Sequence, residues 1–258
     1  MDINLFPYNQ VADTARVVSR LAQAIDRKEP CSMVILGDGE SVVLWAAKGF
    51  GQYHYLSTYG VSAEERPVVS EQLVEALNRA DIICLPRTGP EAAKPHFGPK
   101  LREALRLHNV HPKPDTLIGD SLIGWYLWFD GWLCMLLENR KVLVVTAEAE
   151  EIAAAIRART PPEGVAIHAP GDWWLAADVT AIPLDYGLIG QEKALEQAEN
   201  LPWKPDVCIL GAGARASHLC VEIAKMHSIP VIELGSSFQC FHKPSDLTTY
   251  FQWYQAGG

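Results

Sequence analysis

Short, continuous apolar runs alternate with amphipathic helical segments along the whole chain, and this alternation constrains the fold more than any other feature. The clearest runs are CSMVIL (31–36), DIICL (81–85), KVLVV (141–145), DVCIL (206–210) and PVIEL (230–234), with weaker candidates at 165–168 and 179–183. A strand that is apolar at every position must be covered on both faces, as parallel strands between helices are. Helical spacing links Val11, Ala15, Val18, Ala22 and Ile25, which predicts a first helix over 10–28. Further helices are expected over 70–80, 100–108, 121–138, 148–159, 190–199 and 214–226, with a short amphipathic segment in the tail. Prolines at 90, 95 and 99, HPKPD (111–115) and PPEG (161–164) mark the breaks. The expected fold is a Rossmann-like, doubly wound α/β sheet, mostly parallel, with helices on both faces. No internal repeat or linker divides the chain, so residues 1–258 are expected to form a single domain.

Composition narrows the function classes. With 48% hydrophobic residues and a net charge of −9, the chain has the material for a sizeable core and no broad affinity for a phosphate backbone, so nucleic acid is not an expected partner. The N-terminus has no basic, apolar leader pattern. The most apolar stretch, 117–137, contains Asp120, Asp130 and three glycines, which suits a buried helix rather than a transmembrane segment. The six cysteines form no CxxC pair and sit mostly in apolar runs. They read as reduced core residues of a cytoplasmic protein, not as zinc ligands.

Parallel sheets of this kind bind ligands beyond the carboxyl ends of their strands. The runs here lead into Gly37-Asp38-Gly39-Glu40, Pro86-Arg87-Thr88-Gly89, Thr146-Ala147-Glu148, Gly211-Ala212-Gly213-Ala214-Arg215 and Gly235-Ser236-Ser237. Glycines let a backbone approach a ligand, and a helix start offers free N–H groups to an anion. The 211–215 loop matches GxGxxG incompletely, with Ala216 at the last position, and Glu233 is the one strand-end acid about 20 residues on that suits a ribose. A tight strand-to-helix turn explains the loop equally well. Asp38 and Glu40, at i and i+2 between glycines, suit a hard divalent cation that also touches substrate phosphates, and also suit a helix N-terminus.

VILGDGES resembles the RxGDGE segment that opens the GT-D type of glycosyltransferase domain. PDVCILGAGARASHLCVEIAKMHSIPVIELGSS resembles that family's C-terminal block, with Gly211 to Ala214 and Glu233-Leu234-Gly235 at the places of its Gly-Pro-Thr-Ala-like loop and Asp-x-Gly-like turn. The chain departs from the family pattern at Leu36, at Gly119-Asp120-Ser121 and at Ser236, which marks a divergent member. The resemblance implies a Rossmann-like domain that binds a nucleotide-diphosphate sugar, UDP-sugar favoured, with Mn2+ or Mg2+. It places the metal on Glu40 and Asp38. It places the nucleotide at Gly37, Asp38, Gly39, Gly211, Ala212, Gly213, Ala214, Arg215, Gly235 and Ser236. The acceptor would be a glycan, a lipid-linked molecule or a protein.

Other residues carry weaker signals. Glu148 is a candidate general base, though a helix first turn favours Glu electrostatically. Asp120 reads first as a helix N-cap and second as catalytic. Arg215 is a better phosphate partner than Arg87. Trp125, Trp128 and Trp132 have helical spacing, which fits core packing or a homodimer interface, while Trp173-Trp174 is a better sugar platform. His218 reads as a packed or surface residue. Two further readings stay open: a nucleotide-binding oxidoreductase using NAD(P) at GAGARA, which leaves Asp38 and Glu40 without a role, and a non-catalytic nucleotide-sugar-binding module.

Overall fold

The computed structural model describes residues 12–49, 61–86, 97–158, 178–185 and 187–241. Seven strands form one sheet: β1 (Cys31–Ile35), β2 (Ile82–Leu85), β3 (Leu117–Asp120), β4 (Lys141–Thr146), β5 (Asp178–Pro183), β6 (Val207–Gly211) and β7 (Pro230–Glu233). Every pairing is parallel, in the order β3-β2-β1-β7-β6-β4-β5. The helices are α1 (Thr14–Arg27), α2 (Asp38–Ala47), α3 (Arg66–Arg79), α4 (Phe97–Leu107), α5 (Ile123–Phe129), α6 (Trp132–Leu137), α7 (Ala149–Ala158), α8 (Gly187–Glu199) and α9 (Ala216–His227).

The uniformly apolar strands are buried on both faces, as their sequence requires. On one face Met33, Ile82, Val144, Ile209 and Ile232 pack with α1, α5, α6 and α7. On the other, Val34, Leu85, Val145, Leu210 and Val231 pack with α2, α3, α4, α8 and α9. Connections that step toward β3 use the second face and those that step toward β5 use the first, so all crossovers share one hand. The sheet is doubly wound, as expected, and fully parallel. Five cysteines among the described residues are free, four of them buried.

The region 117–138 differs from expectation. It is not one helix but a strand and two short helices. β3 is only four residues long and includes Gly119, whose missing Cβ would lie 2.9 Å from Cys84 Sγ on the neighbouring strand. The helical run breaks at Gly131, which takes φ 76 as the N-cap of α6. Two helices start earlier than periodicity suggests: α3 at Arg66, with Pro67 in its first turn, and α8 at Gly187. The expected strand at 165–168, the PPEG turn and the tail segment lie outside the described residues, as do Arg87 and Trp173-Trp174.

His108, just after α4, ties that helix to α2: its Nε2 donates to the Leu44 carbonyl at 2.8 Å. Burial holds its pKa below the ordinary histidine value. The folded protein therefore binds this proton less readily than the unfolded chain. The stability it contributes is present above pH ~6.5 and declines as pH falls through the folded value. The melting temperature is expected to drop between pH 7 and 5, and to drop less in His108→Gln; equal pH slopes would contradict this.

Candidate functional site at the carboxyl ends of the central strands

β1 and β7 are neighbours in the sheet, but beyond their carboxyl ends the chain leaves to opposite faces. After β1 it enters α2 on one face; after β7 it turns to Phe238, buried on the other. Adjacent strands that part in this way open a crevice. The hydrogen-bond ladder shows where. β1 and β7 pair from Cys31↔Pro230 to Met33↔Ile232 and no further, whereas β1 stays paired with β2 to Ile35↔Cys84 and β7 with β6 to Leu210↔Glu233. The next rung would join the Ile35 N–H to the Glu233 carbonyl. Instead the Glu233 side chain takes that N–H at 3.0 Å. A carboxylate is wedged where the sheet splits.

Gly37 to Glu40 lie above the split. Gly37 is the N-cap of α2, and Asp38 and Glu40 fall in its first turn, where the helix dipole favours acids. Glu40 turns back and accepts the Gly37 N–H at 2.7 Å, and Ser41 Oγ donates to the Gly37 carbonyl at 2.9 Å. Asp38 is half-buried and Glu40 is buried. Burial raises the Glu40 pKa, and the neighbouring Asp38 charge adds to it. Burial also pushes Glu233 well above the usual carboxylate range, with the Glu40 charge contributing. Among the described residues, no basic side chain offsets either group.

The glycine loop after β6 has mixed roles. Gly211 is glycine for a packing reason, since a Cβ there would lie 2.5 Å from the Phe238 ring. Gly213 is exposed at φ 55, between the buried Ala212 and Ala214. Arg215 is buried and its guanidinium donates to the Asp185 and Gly187 carbonyls. It fastens the loop before α8, the opposite of a free phosphate hook. After β7, Gly235 takes φ 53 with open space where a Cβ would be, and Ser236 is exposed. Gly39 is buried inside α2.

β1, β7 and β6 are consecutive, so the Asp38-Gly39-Glu40 turn, Gly235-Ser236 and the 211–213 loop share one stretch of rim. Asp120 and Glu148 lie at its flanks. Asp120 ends β3, two strands from β1 and so ~10 Å away, and its carboxylate accepts the Leu122 N–H at 3.0 Å in a local turn. Glu148 comes just after β4, three strands from β1 on the other side, ~14 Å away, and its carbonyl accepts the Ile152 N–H that opens α7. Trp125 and Trp128 are buried in the core, and Trp132 packs against it. His218 is partly buried on α9, its pKa lowered by desolvation.

The parallel, doubly wound sheet agrees with what comparison with known families finds. A family model described as a GT-D fold-like domain matches residues 12–241. The chain belongs to the GT-D-like family. A comparison with curated proteins found no match, and one with solved structures found none either. Membership gives the chain a glycosyltransferase-type fold. Among the described residues no helix is long and apolar enough to cross a membrane. The structure adds Glu233 to the residues around the crevice. The sequence offered it as a ribose acid at the end of an apolar run, and only the split ladder shows that its carboxylate takes the Ile35 N–H instead.

Proposed function

We propose that this GT-D-like protein is a metal-dependent glycosyltransferase that takes its sugar from a nucleotide diphosphate, UDP-sugar favoured, and passes it to an acceptor hydroxyl on a glycan, a lipid-linked molecule or a protein. The observation that carries the reading is the pair of buried acids, Glu40 and Glu233, at the parting of β1 and β7 with no basic side chain to offset them among the described residues. Two desolvated carboxylates together are costly, and a hard divalent cation with oxygen ligands is the natural compensation. The donor set therefore fits Mn2+ or Mg2+, held by Glu40 with Asp38. Such an ion neutralises a diphosphate and so makes it a better leaving group.

The chain's own residues do the rest. Gly213, which is exposed, and Gly235, half-buried with open space where a Cβ would be, leave main chain open beside the crevice for a diphosphate to approach. The first turn of α2 directs N–H groups at the same rim. In the transfer the acceptor oxygen bonds to the anomeric carbon, the bond from that carbon to the diphosphate oxygen breaks with its electron pair, and the acceptor proton passes to a base. An oxidoreductase reading is less well supported, because Glu233, its ribose acid, is buried against Ile35 N–H. With Mn2+ and a UDP-sugar, slow release of UDP is expected even without acceptor. Tight binding with no UDP release, with or without an acceptor mixture, would instead indicate a binding module.

A further inference from the structure

We propose that the cation site is walled by Glu40, Glu233 and the hydroxyl of Ser217, across the split between β1 and β7, and not by the Asp38-Gly39-Glu40 turn alone. The inference rests on the metal dependence proposed above and goes beyond it in assigning two ligands from other elements.

Ser217 is the independent observation. It is fully buried in the first turn of α9, and among the described residues its Oγ has no hydrogen-bond partner. A buried hydroxyl left unmade is costly and calls for an occupant. Its place is set by the helix. Three residues on, Cys220 lies on the same stripe, and its Sγ approaches the Met33 carbonyl at 3.3 Å and the Val231 carbonyl at 3.4 Å. Those residues belong to the last rungs that join β1 to β7. As a crossover helix between parallel strands, α9 runs back along the sheet from the carboxyl ends. Ser217 is therefore about 4.5 Å nearer those ends than Cys220, above the split itself.

Glu233 comes to the same point from below. It is two residues beyond Val231, so its side chain emerges on the face that carries α9. It keeps one oxygen on the Ile35 N–H, which fixes the carboxylate in place. Glu40 comes from the side. Its helix packs against the turn that leads into α9, Val43 and Ala46 sharing a small core with Ala214. Three oxygen-bearing side chains from three elements converge, two of them acidic and one unpartnered. That is the donor type a hard divalent cation selects.

The test is Mn2+ binding to the whole protein, monitored by the electron paramagnetic resonance signal of the free ion, for the native chain, Glu40→Gln, Glu233→Gln, Ser217→Ala and Asp38→Asn. Glu233→Gln keeps an oxygen for the Ile35 N–H and loses only the charge. Circular dichroism and melting of each metal-free variant verify the fold. The expected result is a loss of Mn2+ affinity of roughly tenfold or more in Glu233→Gln and a smaller loss in Ser217→Ala. The metal-free Ser217→Ala protein should melt no lower than the native one, because the variant removes an unsatisfied group. Native affinity in both folded variants, with loss in Glu40→Gln and Asp38→Asn, would overturn the proposal and leave the metal on the turn. No Mn2+ binding by the native protein would instead overturn the metal-dependent function on which the proposal rests.

Discussion

Glu40→Gln is expected to remove nearly all manganese-dependent stabilisation by a nucleotide sugar while leaving the fold intact. The native Glu40 carboxylate has two jobs. One oxygen takes the Gly37 N–H at the start of α2, and the charge lies buried near those of Asp38 and Glu233. A glutamine retains an acceptor for the N–H, so the helix start survives. What it loses is the negative charge that a divalent cation requires. With ligand at 100 times its dissociation constant, the native protein gains about 2.7 kcal/mol by mass action. A roughly 100-fold loss of affinity leaves about 0.4 kcal/mol of that. Glu40→Ala would lose the cap as well, at about 1 kcal/mol, so the difference between the two variants separates helix capping from ligand binding. A Glu40→Gln protein that still shifts with manganese and donor as the native one does would remove Glu40 from the site.

Gly190→Ala is expected to destabilise the protein by about 3 kcal/mol, among the larger effects of adding one methyl group at a described glycine. A Cβ at Gly190 would lie 2.1 Å from the main-chain oxygen of Asp185 and 2.5 Å from its carbonyl carbon. Backbone atoms yield less readily than a side-chain tip, and these are held from several sides. Arg215 donates to the Asp185 and Gly187 carbonyls, and Glu65 takes the Leu188 N–H at 2.7 Å while also accepting from Ser62. The gain in helix propensity from Gly to Ala, about 1 kcal/mol, offsets part of the clash. The melting temperature should fall by roughly 6–12 °C. Ile189→Ala, at an exposed position one residue away, should change stability by no more than about 0.5 kcal/mol. Because Arg215 belongs to the glycine loop, Gly190→Ala should also weaken donor binding beyond what its stability loss explains. Equal stability of Gly190→Ala and the native protein would show that this loop is looser than its hydrogen bonds indicate.

The sheet was legible in the sequence because its strands are buried on both faces. CSMVIL, DIICL, KVLVV, DVCIL and PVIEL all became strands in a fully parallel sheet with helices on both sides. β3 escaped because it is short, carries Gly119 and Asp120, and is only half covered at its first two positions. Its burial comes from β2, which no local pattern records. The split of 121–138 into two helices depends on Gly131 taking a left-handed conformation, one of two that a glycine there allows. At the site, periodicity placed the Asp38-Gly39-Glu40 turn and the 211–215 loop at strand ends, and strand order made them neighbours on one rim. The same order set Asp120 and Glu148 at its flanks. Arg215 looked like a phosphate ligand from its position in the loop, but its partners are carbonyls of a segment some thirty residues earlier, a contact that only the tertiary structure creates. Ser217 lay inside an apolar helix, where sequence marks core rather than chemistry, and Glu233 read as a ribose acid, with nothing local to show that its side chain takes the Ile35 N–H.

Metal-dependent binding of a nucleotide sugar is tested most directly by a thermal-shift panel of UDP-, GDP-, ADP- and TDP-sugars and NAD(P), each with and without manganese. One nucleotide sugar, UDP-linked by preference, is expected to raise the melting temperature only when manganese is present. A shift with NAD(P) that ignores manganese, with none from any nucleotide sugar, would contradict the transferase reading.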